Sequence, residues 1–161
     1  MPPLTDQVRE ADISNPNGYY EFEPVKRTKT DPSWLVRASG KAVKMVYRLL
    51  YDLPSDYSYR VVMMQRRVEE VLSSQRAMLR HQNNDDSVDD AQMVKIYQRE
   101  LANLESWIQR QANFSKLDMS YNELVKDPAS QISRVADFLG GNLDQQSMTA
   151  VIDPNLYRNR L

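Results

Sequence analysis

Tyr59-Arg-Val-Val-Met-Met-Gln-Arg-Arg-Val-Glu-Glu-Val-Leu-Ser-Ser-Gln-Arg76 decides the fold. Tyr59 to Met64 is a nearly continuous apolar run, of the kind that parallel sheets bury on both faces. Beyond it the period changes. Val68, Val71, Leu72, Met78 and Leu79 share one face of a helix expected over 68–80. The stretch therefore reads as a buried strand breaking into a helix, with Arg66 at the break. A helix start offers unpaired N–H groups and a partial positive charge, which makes it an anion site. A guanidinium at the junction adds a planar donor suited to phosphate. Ser74 follows two helical turns later and can donate to the same anion.

Outward from this unit the chain keeps alternating. An apolar stretch over 42–47 and another over Ser115–Met119 are expected to be further strands. Between them, Val94, Tyr97, Leu101, Leu104 and Ile108 recur at helical spacing, which predicts a long helix to about Gln111 with a buried stripe. Ser87 with Asp90 suggests its cap, and 81–87 reads as a polar loop. Asp127-Pro128 caps and opens another helix, whose inner face is Ile132, Val135, Ala136 and Leu139, and Gly140-Gly141 stops it. A last helix is expected over Leu143–Val151. Near the start, Leu4–Ala11 suggests a short helix, Asn15-Pro-Asn-Gly18 a turn, and 21–35 partial helix broken at Asp31-Pro32. Strands alternating with helices predict an α/β fold: a mostly parallel sheet flanked by helices in three layers, rich in helix.

The 161 residues suit one domain. The net charge of −1 gives no global case for nucleic acid or an anionic membrane as partner. Charge is uneven, however. Lys26, Arg27, Lys29, Arg37, Lys41, Lys44 and Arg48 form a basic stretch, open to an anionic ligand or simply solvated. The absence of cysteine excludes disulfides and thiolate chemistry. His81, the single histidine, excludes a multi-histidine metal site and follows a helix end, where it complements the dipole. Asp85, Asp86, Asp89 and Asp90 lack the glycine and closing glutamate of a calcium loop. No apolar run is long enough for a bilayer and no leader is visible, so a cytoplasmic protein is expected.

The pattern Arg66, Glu70, Val71, Ser74 after an apolar strand resembles the 3′-phosphate-binding segment of the sulfotransferases. Other stretches resemble bacterial members of that family in the same order along the chain. These are Asn15-Pro-Asn-Gly-Tyr-Tyr-Glu-Phe-Glu-Pro-Val-Lys26, Leu117-Asp-Met-Ser-Tyr-Asn-Glu-Leu-Val-Lys-Asp-Pro128 with Phe138-Leu-Gly-Gly141, and Ile152-Asp-Pro-Asn-Leu-Tyr-Arg158. The resemblance implies a P-loop-like fold and 3′-phosphoadenosine 5′-phosphosulfate (PAPS) as donor of a sulfonate group to a hydroxyl or amine.

The resemblance also assigns residues. Arg66 and Ser74 would hold the 3′-phosphate, with Arg67 the substitute if the register shifts. Tyr121 matches a tyrosine near the adenine, or is an aromatic packing at a strand end. Arg158 would close over the nucleotide, or belongs to a solvated tail. Glu21 or Glu23 would accept the acceptor's proton as its oxygen attacks sulfur. The family's first strand and its Gly-rich phosphosulfate loop have no counterpart here. The glycines are Gly18, Gly40, Gly140 and Gly141, and none opens a helix after an apolar strand. A fragment, a misassigned start, or replacement of the strand by dimerisation or rearranged pairing each accounts for that. Two readings follow: a sulfotransferase with little activity in this chain alone, whose acceptor (small molecule or glycan) is not readable, or a non-catalytic binding or assembly protein, as a homodimer.

Overall fold

The computed structural model describes residues 1–6, 10–11, 15–81 and 89–157. They form two compact units, 1–57 and 58–161. Of the helix expected over Leu4–Ala11, residues 7–9 lie outside the described set. Leu4 and Asp6 are not helical. Their N–H groups donate to the carbonyls of Ala42 (2.8 Å) and Glu21 (3.2 Å).

The first unit is built of short pieces around aromatic residues. A 3₁₀ helix spans Glu23–Arg27, helix α1 spans Leu35–Ala38, and a second 3₁₀ helix spans Tyr47–Asp52. Tyr19, Phe22, Val25, Trp34, Leu35 and Leu50 are buried. Phe22 meets Trp34 edge to face at 5.8 Å, a favourable ring geometry. The Trp34 indole N–H donates to Thr28 Oγ1 (3.1 Å), which itself donates to the Val25 carbonyl (2.6 Å). Thr28 is thus buried with its hydroxyl satisfied, as a buried polar group must be. The strand expected over 42–47 does not form. Only Ala42 bridges to another segment, at Pro3, and the chain turns into the second 3₁₀ helix at Tyr47. Apolar content alone does not make a strand. Both backbone rows need partners, and past Ala42 no strand pairing forms among the described residues, while Val46 faces solvent.

The second unit is the βαβ core. Strand β1 (Tyr59–Gln65) leads into α2 (Val68–His81), then α3 (Asp90–Ile108), then strand β2 (Phe114–Ser120). The strands pair in parallel from Tyr59↔Phe114 to Gln65↔Ser120. Three short helices follow: α4 (Tyr121–Lys126), α5 (Pro128–Leu139) and α6 (Gln145–Ala150), then a 3₁₀ turn over Pro154–Leu156. The class is a helix-rich α/β fold with a small parallel sheet of two strands among the described residues.

Local signals explain most boundaries. Asp127 caps α5 by accepting from the Ser130 N–H, Pro128 occupies the first turn, and Gly140 ends it at φ 115°, where a side chain would be strained. Leu104 and Ile108 of α3, Met119 of β2, and Ile132 and Ala136 of α5 are buried. α3 is capped by Asp89, which accepts from Ala91, and Ser87 lies outside the described residues. An Arg76–Asp90 ion pair joins α2 to the start of α3.

Candidate functional site

Parallel pairing puts the carboxyl ends of β1 and β2 side by side, the place where open α/β sheets bind ligands. Gln65 is in register with Ser120, so the next residues, Arg66 and Tyr121, are neighbours. The Arg66 guanidinium carbon lies 5.1 Å from the Tyr121 ring centroid. Arg66 and Arg67 fill the two-residue junction between β1 and α2. Arg67 is exposed and its carbonyl accepts from Val71, so its backbone begins the helix.

In the first turn of α2, Glu70 has no solvent-exposed surface. Its carboxylate accepts from Arg66 Nε (2.8 Å), Asn122 Nδ2 (3.0 Å) and the Tyr157 hydroxyl (2.6 Å). Asn122 also donates to the Tyr157 oxygen. The Tyr157 ring packs edge to face on Tyr121 at 5.5 Å, and the Arg66 guanidinium carbon lies 5.2 Å from its centroid. Four segments meet here: the β1–α2 junction, α2, the first turn of α4 and the residue after the 154–156 turn. Two of them are placed by side-chain caps. Ser120 caps α4 by accepting from Glu123, and Asp153 caps the last turn by accepting from Asn155.

The electrostatics are those of a buried, ionised carboxylate. Burial alone pushes Glu70 up, but hydrogen bonds from Tyr157, Arg66 and Asn122, with the Arg66 charge, hold it below the usual carboxylate range. The same contact raises Tyr157, first because its proton is held by Glu70, then through burial and the carboxylate's charge. Glu70 stays negative, Tyr157 keeps its proton, and Arg66 is fixed between a carboxylate and two rings. A fixed guanidinium at the ends of parallel strands is suited to binding an anion.

Of the residues singled out in the sequence, Arg66 and Tyr121 come together. Ser74 lies on the face of α2 that carries Glu70, one turn further and half buried. Arg158 lies outside the described residues. Glu21 and Glu23 belong to the first unit. The Glu21 carbonyl accepts from the Thr5 hydroxyl (2.9 Å), and the Glu23 carboxylate is ion-paired with Lys26. Lys44 of the basic stretch donates to the Tyr19 carbonyl (2.7 Å), and Arg37 lies over the Phe22 ring. Sequence reasoning misses the roles of Glu70, Asn122 and Tyr157. The spacing of Arg66 and Glu70, four apart across a helix start, is the signal that was available for the first. Nothing local points to the other two.

Among the described residues no group of three or more His, Asp or Glu side chains is arranged to hold a metal ion, and no helix is long and apolar enough to cross a membrane. No curated protein and no solved structure matches the chain. The model of the sulfotransferase family matches residues 22–145, a span that holds both strands, the Arg66 junction, Glu70 and Tyr121. With most of its length matched in this way, the chain belongs to the sulfotransferase family.

Proposed function

We propose that this chain carries the 3′-phosphate half of a PAPS-binding site, and that its strands belong to a three-layer, P-loop-like sheet. The observation that supports this most is Arg66, held at the carboxyl end of β1 by the buried Glu70 and lying against Tyr121. The donor set fits the group: a planar guanidinium for a phosphate, a hydroxyl at Ser74 on the same helix, an exposed Arg67 beside it, and an aromatic ring for a base. Arg158 would add a further cation. PAPS, when bound, supplies the sulfonate that a hydroxyl or amine of the acceptor takes up. Glu21 or Glu23 would accept the acceptor's proton. The sequence contains no Gly-x-x-x-x-Gly-Lys loop, so this chain alone is assigned binding with little turnover.

Calorimetric titration of the purified chain with 3′-phosphoadenosine 5′-phosphate (PAP) tests the reading. Saturable binding is expected, reduced at least tenfold by Arg66→Ala. A folded chain that binds no PAP would rule the reading out.

One observation favours a second reading. Among the described residues each strand of the sheet has a single strand partner, so each has an outer edge that another strand can join. A non-catalytic assembly protein, paired with a second copy along such an edge, would use the same fold. Its solution mass would be that of a dimer.

A further inference from the structure

Arg66 alone would be a poor anchor. An arginine side chain has much rotamer freedom to lose, and this one stands in a two-residue junction. Three contacts remove that freedom: Nε on the Glu70 carboxylate, and the guanidinium against the Tyr121 and Tyr157 rings. Glu70 is an expensive means of doing so. A carboxylate without solvent is tolerated only when fully hydrogen-bonded, and an apolar residue is often as stable in its place. Its other two donors, Asn122 and Tyr157, come from separate segments, and they bond to one another as well. Such a closed set defines where the guanidinium points.

We propose that Glu70, Asn122 and Tyr157 are positioning residues for Arg66, with Tyr157 the latch that couples the segment after Asp153 to anion binding at the strand ends. The inference rests on the nucleotide reading above for its consequence, but not for its geometry. The hydroxyl of Tyr157 donates to Glu70, and its ring covers one side of the guanidinium, so one side chain serves both functions. Removing the hydroxyl and keeping the ring should leave the fold in place while Arg66 loses its fixed orientation. What is lost is then discrimination: a ligand with a 3′-phosphate should suffer, and one without it should not.

The test uses the full chain as wild type, Tyr157→Phe, Asn122→Ala, Glu70→Gln and Glu70→Ala, with circular dichroism to establish that each is folded. Two readouts are taken. The first, without ligand, is the Arg66 Nε–H resonance in nitrogen-15 NMR, expected sharp and slow to exchange in wild type and broadened or lost in Tyr157→Phe. The second is the ratio of affinities for PAP and adenosine 5′-phosphate. It is expected to fall about tenfold in Tyr157→Phe through weaker PAP binding alone, and to be partly retained in Glu70→Gln relative to Glu70→Ala. A merely structural tyrosine would lower both affinities together or neither. An unchanged Nε–H signal in folded Tyr157→Phe overturns the proposal. If wild type fails to prefer PAP while the Nε–H signal still collapses in the variants, the positioning set stands and the nucleotide reading falls.

Discussion

Glu70 shows how one buried charge ties stability to acidity. Its carboxyl is held below the ordinary glutamate range by Tyr157, Arg66 and Asn122 against the opposing effect of burial. The unfolded chain therefore binds more protons than the folded one between the two values. Stability from this group is present above the unfolded value, about 4.3, and is lost as pH falls through the lower folded value. In urea unfolding, wild type should outlast Glu70→Gln at neutral pH, and the gap should narrow on acidification below about pH 4.3. Glu70→Ala leaves Arg66 without its partner and Asn122 and Tyr157 without their acceptor. It should cost about 3–5 kcal/mol. A gap that stays constant between pH 7 and pH 3 would show that Glu70 is not ionised in the folded chain.

Several elements hold because their boundaries have their own stop or start signals. Asp127 accepts from Ser130 at the start of α5, so Asp127→Ala should cost about 1 kcal/mol by thermal unfolding. Ala136 has no exposed surface on the inner face of the same helix, and Ala136→Leu should cost about 1–3 kcal/mol through overpacking. A neutral result for Ala136→Leu would mean the face is looser than its burial implies. These elements were legible in the sequence because their signals are local: the apolar run of β1, the heptad-like stripe of α3, Asp-Pro before α5 and Gly-Gly after it. The expected strand over 42–47 had the apolar residues and lacked a neighbour, and strand formation is decided by the neighbour. The site divides the same way. Arg66 and Tyr121 follow strand ends, and Ser74 lies on the helix that Arg66 leads into, at spacings that a pattern can reveal. Asn122 and Tyr157 act through contacts across long stretches of chain, for which no periodicity exists.

On the scale of the whole molecule, the described residues divide into an aromatic-centred unit and a βαβ unit. The second has a two-stranded sheet, fewer strands than independent sheets usually need. Helices supply the rest of its core, through Leu104, Ile132 and Ala136. Should a second copy cover a sheet edge, unfolding would become concentration-dependent. Melting midpoints measured over a hundredfold range of protein concentration should then rise with concentration. A constant midpoint favours the donor-binding reading over the assembly reading.

Tyr157 follows Glu70 by 87 residues, so the two cannot meet when Glu70 is made. At about 5–20 residues per second, synthesis of the intervening chain takes roughly 4–17 s. For that interval the nascent helix has Arg66 as the only partner of Glu70 that is near in sequence, and its carboxylate stays hydrated. The strand ends can close around Arg66 only after synthesis has passed Tyr157. An emerging chain interrupted before Tyr157 would have its fold signals in place and its anion site unformed.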